Sequence, residues 1–361
     1  MNEDFEKFAN EVRNRIFENS EDRDNLDIQI QHVQKVNQQD LVSLTVKTKD
    51  SNIAPSIYLN AAYDAYKEGQ SMENILHSLE NTITTHSVMD KVNVDFVSLF
   101  ETAKDQIFPK LVNKDMNKEY LENVPHYDFG DLAVLFYVKM EHPQIGEGAI
   151  TVNNQIFEKW GVEDKVIMDA AMENLKNNTQ CKDLFGFIQE INPGMAETLN
   201  GDVPVDKSPI IISTDDQRFG AAALLNEDIM KALCDRIGGD LVIIPSSIHE
   251  CLILGDENMP RQELELNSMV QEVNDSVVAT EDLLSDHVYH FNGEELMYRE
   301  LPKFADLQDV KDTPFTNMDL VSAQTGEVYH QGKEADKAQD KQNITNIDDK
   351  KAAPKRDDMA I

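Results

Sequence analysis

The chain of 361 residues is long enough for two or three domains, or for one large domain plus a tail, and a hydrophobic content of 40% can supply a sizeable core. Its 67 acidic and 33 basic residues give a formal net charge of −34. Such a charge repels nucleic-acid phosphates and anionic membranes, so we expect neither as a direct partner, and it attracts cations and basic proteins.

The acidic charge is concentrated in the first 300 residues. Residues 301–361 contain 12 acidic and 9 basic side chains, a net charge of −3, and −34 minus −3 leaves −31 for the rest. The three cysteines, Cys181, Cys234 and Cys251, are widely spaced, which favours neither a disulfide framework nor a zinc knuckle. The N-terminal segment lacks a signal-peptide pattern and the apolar runs are short, so we expect a cytoplasmic protein.

Residues 1–124 have the pattern of an N-terminal α+β region. Apolar residues at helical spacing predict an amphipathic helix over residues 3–18. Alternating apolar residues in 26–30 and 42–46 predict a β-hairpin with one buried face. Further helices are predicted on either side of Gly69 and over residues 94–104, with a strand over 106–112.

Residues 125–300 repeat a pattern of paired strands with helices, which we interpret as two ββα-type blocks. The first block has strands at 132–140 and 149–152, a short helix that ends at Gly161, and a longer helix. The second block begins with strands at 210–213 and 219–225.

The second block continues with a helix that Asn226 caps and Gly238 ends. Strands at 241–244 and 248–254 then flank a predicted turn, Pro245-Ser246-Ser247. A helix from Pro260 carries four apolar residues: Leu266, Met269, Val270 and Val273. Asn292-Gly293 predicts a final hairpin.

We therefore predict an α+β protein of antiparallel hairpins and mixed sheets packed with amphipathic helices. After residue 300 the apolar pattern fails, and 301–361 is predicted to be a mostly disordered tail.

Several stretches together resemble a known family. They are Ala54–Tyr63, Val124–Val134, Trp160-Gly161, Pro245–Glu250 and Leu284–Tyr289. In this order they are similar to the Firmicute family catalogued as domain of unknown function 5688. The resemblance implies one evolutionary unit over residues 1–300, and it implies no activity, ligand or catalytic residue.

The hairpin from Ser246 to Glu250 is the first candidate site. Ser246, Ser247, His249 and Glu250 provide hydroxyl, imidazole and carboxylate groups, which could serve as nucleophile and base. On a strand, however, His249 and Glu250 would point to opposite faces. The alternative is that the serines form a turn and that Glu250 faces water or pairs with a cation.

The second candidate is a loop with three potential metal ligands, His126, Asp128 and Asp131. Imidazole and carboxylate groups at this spacing suit a divalent cation, although Asp side chains that bond nearby amides explain the loop equally well. Two weaker groups are Asp286 with His287 and His290, and Asp215-Asp216 beside Arg218, both of which we interpret as turns or hairpin surface.

The sequence contains no nucleotide-binding or hydrolase motif, so we expect no cofactor. Our first hypothesis is a non-enzymatic cytoplasmic interaction or regulatory protein that binds a basic protein through its acidic surface. One alternative is a metal-assisted or acid–base enzyme that uses the 246–250 hairpin or the 126–131 loop. A further alternative is an acidic nucleic-acid mimic. The oligomeric state stays open.

Overall fold

The computed structural model describes residues 3–20, 23–48, 56–86, 95–142, 146–184, 186, 208–255, 263–299 and 320–329. The chain forms two compact units: the first comprises 1–107, 116–125 and 137–167, and the second comprises 108–115, 126–136 and 168–361. Each unit combines helices with antiparallel strands, which confirms the predicted α+β class. The units are assembled from separated segments, whereas the predicted regions are contiguous.

The helices of the described residues are α1 Glu3–Asn19, α2 Asn60–Lys67, α3 Met72–His86, α4 Phe100–Ala103, α5 Lys118–Leu121, α6 Asn154–Trp160, α7 Asp164–Asn178, α8 Glu227–Ile237 and α9 Glu263–Ser276. The strands are β1 Leu26–Lys35, β2 Gln39–Thr48, β3 Ser56–Tyr58, β4 Ile107–Asn113, β5 Tyr127–Phe129, β6 Leu132–His142, β7 Gly146–Thr151, β8 Thr179–Asp183, β9 Ile210–Thr214, β10 Leu241–Ser247, β11 Glu250–Gly255, β12 Tyr289–Phe291, β13 Leu296–Arg299, β14 Leu320–Ser322 and β15 Val328–Tyr329. Within these ranges, no helix combines the length and the apolar character that crossing a bilayer requires.

The core of the first unit lies between α1, α3 and the antiparallel sheet β1-β2-β3. Helix α1 buries Phe8, Val12 and Ile16, which recur at helical spacing, against the face of β2 that carries Leu44. Register in the β1–β2 hairpin is continuous from Leu26–Thr48 to Lys35–Gln39, as the alternating residues predict. In the same unit β7 pairs with the second half of β6.

The predicted helix over residues 94–104 is wrong as a single element. Residues Asp95–Ser98 form a 3₁₀ helix and α4 begins only at Phe100. Leu99 between them has an extended backbone (φ −124°, ψ 131°), which interrupts the helical hydrogen bonds.

The second unit is built on an antiparallel sheet of eight strands in the order β15-β14-β13-β12-β10-β11-β9-β8. Alternate residues of the central strands enter two different cores. Ile243 of β10 belongs to the buried cluster that includes Met230 and Leu233 of α8. Val242 belongs to the cluster that includes Leu266 of α9. The two helices therefore cover opposite faces of the sheet, as the side-chain alternation of a strand requires.

The caps of α8 follow the sequence prediction. The Asn226 side chain accepts a hydrogen bond from the amide of Ile229, and Gly238 ends the helix with φ of 81°.

The predicted strand over residues 219–225 is wrong, because Gly220–Leu225 forms a buried 3₁₀ helix. The run Gly-Ala-Ala-Ala-Leu-Leu has apolar residues at every position, so it has no alternation, and its three alanines favour helical backbone. The strands predicted at 210–213 and 219–225 consequently do not pair with each other, and β9 pairs instead with β8 and β11.

Residues 320–329 are ordered, within a tail that the sequence predicts to be mostly disordered. Strands β14 and β15 form a hairpin that extends the eight-stranded sheet beside β13, with Gly326 in the turn at φ of 72°. Val321 is buried in the main core of the unit, which provides the apolar contact that fixes this hairpin. The tail residues 300–319 and 330–361 lie outside the described residues.

Candidate functional site

The first predicted site lies at the turn between β10 and β11. The predicted turn at Pro245-Ser246-Ser247 is wrong, because β10 continues to Ser247 and the turn consists of Ile248 and His249. Pro245 has no amide hydrogen to donate, and the strand register shifts between Pro245 and Ser247, as a bulge accommodates such a residue. Ser247 accepts a hydrogen bond from the amide of His249 (3.0 Å), so it starts the turn.

Protein groups contact both ring nitrogens of His249. The amide of Phe219 (3.3 Å) and the carbonyl oxygen of Gln217 (3.2 Å) both lie against Nδ1, and Nε2 lies 3.2 Å from Oδ1 of Asp282. With the proton on Nε2, Nδ1 accepts from the Phe219 amide and Nε2 donates to the carboxylate, whereas a proton on Nδ1 is donated to the Gln217 carbonyl. The ring also stacks on Phe219, with centroids 6.0 Å apart. The His249 side chain therefore connects the loop before Gly220 to the segment around Asp282.

The loop that His249 holds has an unusual backbone. Gln217 (φ 57°) and Phe219 (φ 52°) adopt left-handed conformations, which cost about 1 kcal/mol or more for residues with a Cβ atom. Gly220 follows, and a Cβ atom there would lie 2.3 Å from the carbonyl oxygen of His249 and 2.1 Å from Oγ of Ser213. The close approach of loop and turn therefore requires glycine at position 220.

Glu250 lies on a different face from His249. It lines an open depression of about 270 Å³, a volume that includes solvent, together with residues of β8 and β9 and the loop that follows β9. The other lining residues are Gln180, Lys182, Ile211, Ser213, Thr214 and Gln217. None of the His126, Asp128 and Asp131 side chains lines this depression, so the two predicted sites do not converge there.

The second predicted site separates into two environments. Asp128 pairs with Lys114 (3.0 Å) and its side chain is 57% exposed. Asp131 is 15% exposed and turns toward residues 285–289. His126 is half-buried in the segment that leads into β5. Within the described ranges, no three His, Cys, Asp or Glu side chains are grouped as ligands for a metal ion.

Asp131 is the centre of a buried polar cluster with Ser285, His287 and Tyr289. Its Oδ2 accepts from the Ser285 hydroxyl (2.6 Å) and lies 2.9 Å from Nδ1 of His287, while its Oδ1 accepts from the Tyr289 hydroxyl (2.5 Å). Burial, followed by the adjacent charge of Asp131, raises the pKa of Tyr289 well above its ordinary value. Tyr289 therefore stays protonated and donates to the carboxylate.

Backbone geometry brings the Asp131 hairpin to this cluster. Gly130 at the tip has φ of 62°, and a Cβ atom there would lie 2.7 Å from the ring of Tyr298. The opposing segment is fixed by amide side chains. Asn113 donates to the carbonyl of Leu284 (3.0 Å), and Asn274 donates to that of Ser285 (3.0 Å).

The Asp131–His287 contact resembles the carboxylate–imidazole pair that orients a general base, because it fixes the ring and its tautomer. Ser285 lies 3.4 Å from Nδ1, the nitrogen that also faces Asp131, whereas a nucleophile would approach the other nitrogen. The cluster is therefore not a triad, and its geometry is that of a connection between two segments. Use of the 126–131 loop for acid–base chemistry stays a prediction.

The weaker predicted groups also separate. Asp286 accepts from the side-chain amide of Asn274 (2.8 Å), and His290 lies on β12 opposite Val242 and Met297. Asp216 organises its own turn, where it accepts from the hydroxyl of Thr214 (3.1 Å) and the amide of Arg218 (3.2 Å).

Lys110 is a residue that sequence reasoning missed. Its side chain is buried in β4, with Nζ 5.1 Å from the centre of the Phe219 ring, the ring that also stacks on His249. Burial lowers the pKa of Lys110 to about 8. The buried lysine could have been predicted from one feature of the sequence, its position among the apolar residues of β4, Ile-Phe-Pro-Lys-Leu-Val-Asn.

Helix α9 carries an exposed apolar surface. Met269 is 53% exposed, Val273 41% and Val277 76%. The amide of Val277 bonds to the carbonyl of Val273 (2.8 Å), so the helical turn continues through it. These residues, spaced by four, lie along one side of the helix, and we call them the apolar stripe of α9.

The sequence profile of a family of unknown function (DUF5688) matches residues 5–293. The chain belongs to this family. The DUF5688 match includes the Asp131 cluster, the His249 turn and the apolar stripe of α9, and it ends before β13. No curated protein and no solved structure matches the chain.

Proposed function

We propose that this DUF5688 protein is a non-enzymatic cytoplasmic interaction or regulatory protein that binds a basic protein partner. The observation that carries the proposal is the net charge of −34. A charge of this size raises the association rate of an oppositely charged partner and makes binding sensitive to salt.

The distribution of charge in the second unit adds support. Between Arg261 and Arg299 the sequence contains nine Asp and Glu residues and no Lys or Arg. This stretch includes α9 and the segment that contacts Asp131, and Glu272, Asp275 and Asp286 within it are exposed. Carboxylates of this stretch could therefore pair with Lys and Arg side chains of a basic partner, because the stretch has no Lys or Arg of its own between Arg261 and Arg299.

The test is capture of partners by the immobilised full-length chain over a series of salt concentrations, followed by reconstitution with the purified partner. We expect the retained protein to be basic, and its affinity to fall steeply between about 50 mM and about 300 mM salt. Partners no more basic than the starting lysate, or binding that is indifferent to salt, would contradict the proposal.

Competition with double-stranded DNA separates ordinary binding from nucleic-acid mimicry. A mimic occupies the site that the partner uses for phosphates, so DNA displaces it. If DNA and this protein bind the partner together, mimicry is excluded while the interaction proposal stands.

A further inference from the structure

The apolar stripe of α9 lies on a helix whose inner side is fixed to the sheet. Leu266 and Val270 pack against Val242 and Val288, and the amide of Val288 donates to the Asn267 side chain (2.9 Å). The exposed flank of α9, which lies beside these buried residues, is therefore presented in one defined orientation, and this lowers the entropic cost of binding a partner there.

The exposed flank of α9 and the segment that follows the helix combine apolar and acidic groups. Glu272 follows Met269 by three residues, Glu272 and Asp275 are exposed on α9, and Glu281 is exposed in the 3₁₀ turn after the helix. Met269 has a flexible thioether side chain that adapts to differently shaped apolar partners. Exposed apolar residues beside carboxylates complement a surface with apolar residues on one side and Lys or Arg on its flanks.

The length of the surface favours a helix as the partner element. The stripe extends from Met269 to Val277, which corresponds to about 12 Å along the helix axis, and this length matches apolar residues at i, i+3, i+4 and i+7 of a second helix. We propose that the apolar stripe of α9 and its flanking carboxylates bind a basic amphipathic helix of a partner protein. This inference rests on the proposed function and names the place and the chemistry of the contact.

The test uses a synthetic peptide of about 18 residues that places Leu on one helical face and Lys on the other, and a scrambled peptide of the same composition. Binding to the full-length chain is measured by titration calorimetry. We expect the amphipathic peptide to bind at least about tenfold more tightly than the scrambled one. Equal affinity would overturn the α9 site, and the proposed function would remain because charge alone explains such a result.

Substitutions locate the contact. The combined variant M269Q/V273Q/V277Q should weaken binding of the amphipathic peptide about tenfold or more, since exposed apolar contacts are removed. The control Val166→Gln changes a valine of α7 that is equally exposed and should leave affinity unchanged. Coincident unfolding curves show that both variants are folded. Equal affinities of the two variants would overturn the inference.

The charge contribution has its own matched pair. E272Q/D275N on α9 should weaken binding and lower its salt dependence, whereas D169N/E173Q, which removes two exposed carboxylates from α7, should have little effect. The same loss in both would show that the net charge, and not α9, directs binding.

Two other occupants give different results. If residues 330–361 of this chain occupied the stripe, their deletion would increase peptide affinity. If a second copy occupied it, sedimentation would show a dimer that M269Q/V273Q/V277Q dissociates. Either result would overturn the inference. It is supported if the deletion leaves the peptide affinity unchanged and if the wild type and M269Q/V273Q/V277Q are both monomers.

Discussion

Replacement of Asp131 by Asn tests whether the buried cluster connects the β5–β6 hairpin to residues 285–289. Asparagine has nearly the same shape as aspartate but no charge, and it presents an N–H₂ group to at least one of the three groups that now contact the carboxylate. A hydrogen bond to a charged group contributes about 1.5–3 kcal/mol, and breaking a buried polar pair costs about 3–5 kcal/mol.

Because asparagine retains one acceptor oxygen, we expect D131N to lower the free energy of unfolding by about 3 kcal/mol. For a unit of this size the loss corresponds to a decrease in Tm of about 6–12 °C. Differential scanning calorimetry is the suitable assay, because two compact units can unfold in separate transitions.

The matched control is Asp128→Asn in the same hairpin, which changes an exposed carboxylate paired with Lys114. Exposed ion pairs contribute at most about 1 kcal/mol, so D128N should shift Tm by about 4 °C or less. Equal shifts for the two variants would refute the conclusion that Asp131 is a buried centre of contacts.

Three further predictions follow from the cores and the titratable groups. In a chemical denaturation, Gly220→Ala should destabilise the protein by about 3 kcal/mol or more, because the new Cβ would clash with backbone atoms. The control Gly239→Ala, whose Cβ would have no atom within 4 Å, should change stability by less than about 1 kcal/mol. Since the pKa of Lys110 is lowered to about 8, its burial penalty disappears as the pH rises from there toward its unfolded value. Between about pH 8 and 9.5 the unfolding free energy of the wild type should therefore increase by about 1.5 kcal/mol relative to that of K110M. The raised pKa of Tyr289 acts in the opposite direction, because the protonated hydroxyl stabilises the fold below about pH 10 and this stability is lost at higher pH. In denaturation curves, Y289F should therefore show a smaller decrease in unfolding free energy at alkaline pH than the wild type. An unchanged decrease would contradict the raised pKa of Tyr289.

Local patterns in the sequence predict the elements that depend on neighbouring residues. The β1–β2 hairpin follows from alternation, and α8 follows from the Asn226 cap and Gly238. Each of these signals acts within a few residues of its effect.

The polar cluster could not be predicted in this way, because Asp131 is separated in sequence from its three partners by 154 to 158 residues. Periodicity describes the environment of a strand or helix and carries no information about which distant loop it meets. The sequence identified Asp131 and His287 as candidates in separate groups. Tertiary contacts bring the two together, among them the close approach of Gly130 to Tyr298 and the hydrogen bond from Asn113 to Leu284.

Helix α9 shows a second limit. Leu266, Met269, Val270 and Val273 are all apolar, and spacing alone assigns them to one stripe. In the fold only Leu266 and Val270 reach the sheet, and the other two lie on the exposed flank. A helix that packs on a sheet buries only the part of its apolar face that contacts the sheet, so the apolar residues at the edge of that face remain exposed.

The most direct test of the central claim is amide hydrogen exchange of the full-length protein with and without the amphipathic Leu/Lys peptide. Binding on α9 predicts slower exchange across residues 266–278, with exchange in α7 unchanged, and the effect should vanish in M269Q/V273Q/V277Q. Protection distributed over α7 and other acidic helices, or retained in that variant, would contradict the claim.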